Sequence, residues 1–190
     1  MFHSMTARST AAAIALALAA PAFVAPAFAA NPMVGGAEMF PDKTIVENAM
    51  NSADHTTLVQ AVTAAGLGET LSGEGPFTVF APTNDAFAKL PAEAVADLMK
   101  PENKDALAKV LTCHVVGAGV MAADAVKMVT DGNGKAEVDT VGGCKLTAAL
   151  DGDKLTLTDE NGTVATVTQA DVAQSNGVIH VIDTVLMPKM

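Results

Sequence analysis

Tryptophan and tyrosine are absent from the 190 residues, and 7 phenylalanines supply all the aromatic surface. Three of these, Phe2, Phe23 and Phe28, fall in the first 30 positions, which leaves Phe40, Phe77, Phe80 and Phe87 for the folded part. Sugar-binding platforms built on Trp or Tyr are therefore disfavoured. Positive charge is scarce as well: 11 Lys and Arg stand against 21 Asp and Glu, for a net charge of −10. A surface with so few cations and stacking rings is not built for nucleic acid. No Gly-rich phosphate loop and no nucleophile elbow occurs, so an enzyme has no constellation to stand on and no cofactor is expected.

Charge is also missing, locally, at the start of the chain. Arg8 is the only Lys or Arg before the apolar run 11–30, no acid occurs there, and Ala27-Phe28-Ala29 has the small-x-small form of a signal-peptidase site. The expectation is a cleavable export signal over residues 1–29. The run is Ala-rich and broken by Pro21 and Pro26, and no later stretch has membrane-spanning length, so the mature chain is expected to have no membrane span. No Cys lies near the cut and no Arg pair precedes it, which excludes lipid attachment and the twin-Arg route. Cleavage before Ala30 leaves 10 basic and 21 acidic residues, a net charge of −11. The product would be an acidic, soluble, monomeric protein, periplasmic or at the cell surface. Residues 30–40 read as a lead and 41–189 as one domain, long enough to bury a core.

The 2 cysteines, Cys113 and Cys144, both lie in the exported part, where an even pair points to a disulfide. A thiol redox enzyme is the competing use of that pair. A helix is expected over 44–52 and another from Asp54, its expected N-cap, to Gly66, which ends it. "FTVFA" alternates as a strand, and two further helical patterns follow Pro91 and Pro101. From Lys135 onward, Val, Thr and Leu alternate between the turn dipeptides Asp151-Gly152 and Asn161-Gly162. Helices first and strands afterwards predict an α+β domain.

The junction "FTVFAPTNDAF" carries the most information. Phe77 and Val79 would face one side of a strand, Thr78 and Phe80 the other, and Pro82 stops the ladder. Thr83, Asn84 and Asp85 all suit a helix start, where a side-chain oxygen accepts an orphan N–H, and Phe87 then dips toward the core. Structural capping is one reading of Asn84 and Asp85, and a binding edge is the other. His114 follows Cys113, but adjacent residues face apart on a strand or a helix, so the two do not form a nucleophile and base; a buried ring bonded to the main chain is one reading of His114, and ligand contact is the other. In "VIHVID", His180 and Asp183 fall on opposite faces of a regular strand and form no dyad. His55 reads as a surface residue.

Metal patterns fail on inspection. "DGNGKAEVD" begins like a calcium loop, but Lys135 and Ala136 occupy positions that need a ligand and a Gly. Met33, Met39 and Met50 suggest copper handling only weakly against their use in packing.

"GPFTVFAPTNDAF" (75–87), "LTCHVV" (111–116) and "SNGVIHVIDTVLMP" (175–188) resemble, in order and spacing, the three motifs of the fasciclin domain family. The likeness extends over nearly all of residues 40–188 and is strongest to small bacterial secreted members. It rests on Phe77, Thr78, Pro82, Thr83, Phe87, Asn176, Gly177, His180 and Asp183. Cys113 stands where the family often has Tyr. The resemblance implies a β-wedge of mostly antiparallel strands with an N-terminal helical region, acting without catalysis in adhesion, envelope or matrix contact. Its partner would be a protein or surface component, met near His114 or at Asn84 and Asp85. A periplasmic small-ligand or metal-binding protein is the alternative.

Overall fold

Alternation with both faces apolar is what an interior strand requires, and β3 (Phe77–Pro82) and β9 (Gly177–Ile182) are such strands. In this computed structural model, residues 31–189 are described, and the expected export segment lies outside them. The seven-stranded sheet has the order β4-β3-β9-β8-β7-β6-β5, with β4 at Val115–Val116, β5 at Lys135–Asp139, β6 at Lys145–Asp151, β7 at Lys154–Thr158 and β8 at Val164–Gln174. The β3–β9 pair is parallel, from Phe77 opposite Gly177 to Pro82 opposite Ile182, while the other pairings are antiparallel.

Side-chain alternation along β3 and β9 divides the interior in two. Val79, Ala81, Ile179 and Val181 face one apolar cluster, together with Leu58, Val62, Leu107 and Leu111 of the helices. Phe80 and Ile182 face the other, with Leu146, Leu157, Ala165 and Val129. The first face is covered by α1 (Ile45–Asn51), α2 (Thr56–Ala65), α3 (Gly68–Leu71) and α6 (Lys104–Thr112), with α4 (Asn84–Ala88) and α5 (Ala92–Leu98) beside them. On the second face α7 (Ala122–Asp131) buries Ala125 and Val129. The wedge arises because the loop between β5 and β6 returns to the opposite edge. Val141 N–H donates to the Val115 carbonyl at 2.8 Å, Gly142 N–H donates to the Thr112 carbonyl at 3.0 Å, and Cys113 is bridged to Cys144.

Most expected punctuation is present. Gly66 ends α2 in the left-handed conformation at φ 73°, and the turns at Gly152 and Gly162 join β6 to β7 and β7 to β8. Asp54 does not cap α2. It lies in a single 3-10 turn at Ala53–His55, and α2 starts at Thr56 without a cap from its own N-terminal residue. The described part of the lead, residues 31–40, belongs to the packed unit. Within it, β1 (Met33–Val34) and β2 (Ala37–Glu38) form a hairpin around Gly35-Gly36, and both Val34 and Met39 reach the first core cluster. Ala53 N–H fastens this hairpin through the Gly35 carbonyl at 3.3 Å.

Candidate functional site

The strand-to-helix corner is built by Pro82 and Thr83. Pro82 is the last residue of β3, and Thr83 has extended backbone while its hydroxyl accepts from Ala86 N–H at 3.3 Å. Of the three candidate caps, Thr83 is therefore the one that caps α4. Phe87 and Leu90 then turn inward against Val110 and Val185.

Asn84 performs a different task. Its Oδ1 accepts from Thr57 N–H at 3.0 Å and from the Thr56 hydroxyl at 3.1 Å, and its Nδ2 donates to the Ala53 carbonyl at 2.8 Å. It thus satisfies the start of α2, which has no cap of its own. Asn176 adds to the start of α1, where Thr44 and Glu47 already form a capping box: Oδ1 accepts Ile45 N–H at 3.0 Å, while Nδ2 donates to the carbonyls of Leu71 and Gly73 at 2.8 and 3.0 Å. At α7, Asp171 Oδ1 accepts Ala122 N–H at 2.7 Å from a bulge in β8. These caps come from residues 27 to 131 positions away in sequence, so a search for local capping patterns passes over them.

Of the two readings of His114, the structure has the buried ring bonded to the main chain. The ring is 2% exposed. Nδ1 bonds the Val110 carbonyl at 2.8 Å, one of the carbonyls left free at the end of α6, and Nε2 accepts Leu186 N–H at 2.9 Å. The neutral Nδ1–H form is the only one that satisfies both contacts. Burial pushes the ring down to a pKa of about 4, against the opposing pull of the Val110 carbonyl and the Asp159 carboxylate. Asp159, also buried, accepts Met187 N–H at 2.9 Å, so His114 and Asp159 together hold the segment after β9.

His180 is equally interior, at 1% exposure. Nε2 donates to the Val120 carbonyl at 2.8 Å and Nδ1 accepts Asp171 N–H at 3.3 Å, while the ring stacks on Phe80 at 5.7 Å. Beneath the same loop, the Thr78 hydroxyl donates to the Ala118 carbonyl at 2.6 Å and accepts Val120 N–H at 2.8 Å. His55, expected at the surface, is buried too: Nδ1 meets the Ser52 hydroxyl at 2.8 Å, and Nε2 lies by the Ala81 backbone outside hydrogen-bonding geometry. Burial lowers its pKa, opposed by Ala81 and Asp54. Asp183 does not meet His180. Burial would raise its carboxyl, but Thr166 N–H, the Thr184 hydroxyl and the Lys89 ammonium hold it below the ordinary range.

Gly177 permits the parallel pair to close, since a Cβ there would stand 2.0 Å from the Phe77 carbonyl oxygen. Beyond these interior ties, an open groove of about 550 Å³ runs beside Asn84, floored by Phe87, Leu90 and Val95 with Ala88, Ala92 and Ala96. Asp85, next in sequence to the lining residue Asn84, is exposed. Among the described residues no group of three His, Cys, Asp or Glu converges as a metal site, and no helix is long and apolar enough to cross a membrane.

The family model of the fasciclin domain matches residues 53–188. The chain belongs to the fasciclin domain family. Protein sll1483 of Synechocystis sp. (strain ATCC 27184 / PCC 6803 / Kazusa) is 51% identical over 151 residues, 77% of this chain and 74% of that protein. Transforming growth factor-beta-induced protein ig-h3 of Sus scrofa is 36% identical over 78% of this chain, which corresponds to 20% of that longer protein. Among solved structures, a FAS1 domain pair from the insect cell adhesion molecule Fasciclin I shares the fold, with a TM-score of 0.53 and 23% identity over 67% of this chain and 43% of that one. Within this fasciclin domain, the motif residues Thr78, Thr83, Asn176, Gly177 and His180 form interior joints, and Asp85 is left facing solvent.

Proposed function

We propose that the protein is an exported fasciclin domain that acts without catalysis, by contact with a protein or surface component in adhesion, in envelope organisation or at an extracellular matrix. The observation that carries this reading is where the reactive side chains go. His114 and His180 have both ring nitrogens bound to the main chain, and the two cysteines are joined. Asp159 accepts three main-chain N–H groups, from Asn161, Thr163 and Met187. General acid–base work needs a side chain within reach of substrate, and these groups are turned inward to hold loops. Family membership and the fold shared with an insect cell adhesion molecule support the same reading, as does the apolar run with its small-x-small site before Ala30.

The test has two parts. N-terminal sequencing of the protein made by its own host should begin at Ala30, and an uncut chain would remove the export reading. The purified protein, cross-linked to intact envelope or to matrix components, should give a defined partner with micromolar affinity. If no such partner appears and native mass spectrometry shows a stoichiometric small-molecule or metal adduct, the protein is instead the periplasmic ligand-binding alternative.

A further inference from the structure

We propose that the groove between α4 and α5 is a docking site for a cationic, amphipathic segment of a partner protein, in which apolar side chains fill the groove and Lys or Arg side chains reach its acidic rim. This inference rests on the interaction reading above and assigns it a place.

Three observations converge there. The groove is open, about 550 Å³ in volume, and its floor combines half-buried Phe87, Leu90 and Val95 with exposed Ala88, Ala92 and Ala96. Small residues at i and i+4 on α5 and at the end of α4 leave room where longer side chains would close the floor. A volume of this size suits a short segment with a few inserted side chains.

The second observation is charge. Asp85 lies three positions before Ala88 on α4, and Glu93 three before Ala96 on α5, so each acid neighbours a floor residue on its own helix. The nearby cations are engaged elsewhere: Lys89 pairs with Asp183 at 3.5 Å and Lys100 with Asp97. Asp85 and Glu93 make no ion pair among the described residues, and the whole chain carries 21 acids against 11 bases. A cation-bearing partner is thus drawn to this rim and an anionic one repelled.

The third is rigidity. The wall at Asn84 is fixed by three hydrogen bonds to Ala53, Thr56 and Thr57, and Phe87 is anchored behind the corner against Val110 and Val185. A groove whose wall is already tied down loses little freedom when it is filled.

The probe is a 12-residue synthetic peptide of Leu and Lys arranged to form one apolar and one cationic helical face, compared with the same peptide carrying Glu for Lys. Titrated into the isotopically labelled full-length protein, the Lys peptide should shift the amides of Ala88, Ala92 and Ala96. Its affinity should fall at least tenfold in Ala96→Arg, which fills and recharges the groove at an exposed helix position. Asp85→Asn with Glu93→Gln should leave the apolar contact but flatten the salt dependence. Equal binding of the Glu peptide, or shifts confined to another face, would overturn the proposal. So would loss of self-association in Ala96→Arg, which would make the groove an interface between copies. A natural partner identified by cross-linking that still binds Ala96→Arg would overturn the groove while leaving the interaction function standing. Absence of both peptide and natural partner binding would remove the two together.

Discussion

Replacing His114 by Phe keeps a ring of similar size in the core but removes both of its hydrogen bonds. At neutral pH the variant leaves Leu186 N–H and the Val110 carbonyl without partners. An orphaned buried group costs about 1 to 3 kcal/mol, so the pair should lower stability by about 3 kcal/mol at pH 7. The wild type, however, carries a pH liability that the variant lacks. The ring is held at a pKa of about 4 in the folded protein against 6.5 for the free side chain. The unfolded chain therefore takes up a proton first as pH falls. The stabilisation due to the neutral ring is complete above pH 6.5, declines between 6.5 and about 4, and is flat below, where both states are protonated. At 1.36 kcal/mol per pKa unit, that window removes about 3 kcal/mol from the wild type alone. Urea unfolding at a series of pH values should then show two curves that lie apart at pH 7 and converge near pH 4. Carboxylates and His55 titrate in both proteins and cancel in the difference. Parallel curves from pH 7 to 4 would refute the assignment of a neutral, doubly bonded His114.

Two further outcomes follow from covalent and steric closure. Cys144→Ser opens the bridge between residues 31 apart; the chain-entropy relation gives about 3.5 kcal/mol, or about 10 °C in thermal midpoint, and reduction of the wild type should erase the difference. Calorimetry with and without reductant measures it, and equal oxidised midpoints would sink the argument. Gly177→Ala would place a Cβ 2.0 Å from the Phe77 carbonyl oxygen, whereas Gly36→Ala meets nothing within 4 Å and carries only the strain of φ 76°. The first should lose about 3 kcal/mol and the second about 1, and the reverse order in chemical denaturation would show that β3 and β9 do not approach as described.

What could be read in advance was local. The strand ending at Pro82, the helix starting after Thr83, the left-handed Gly66 and the hairpin turns at Gly152 and Gly162 depend on a few adjacent residues whose backbone preferences agree. The pairing of Cys113 with Cys144 was expected from an even count and an expected export signal, and the two are bridged. The candidate site was less legible because its chemistry depends on partners far along the chain. Burial and contact are both open readings of His114 until Leu186, 72 residues later, is placed against it. Asn84 looks like a cap for its own helix, yet it caps the helix that begins at Thr56. His55 follows an exposed Asp54, and nothing local indicates that the hairpin at Gly35 will cover it. The parallel match of β3 with β9 spans 100 positions, and hydrophobic alternation gives no direction to a strand.

That pairing has a temporal side. β9 occupies an interior place in the sheet although it is the last of the described strands in chain order. A nascent chain lacking its last stretch has β3 and β8 with no strand to join them, so neither core cluster can close. The chain must be made through β9 before native structure becomes favourable, and loop closure over such a separation makes assembly slow. The keystone of the sheet is thus the last strand to be made: the chain stays pliable until β9 arrives, and sets when β9 slots between β3 and β8.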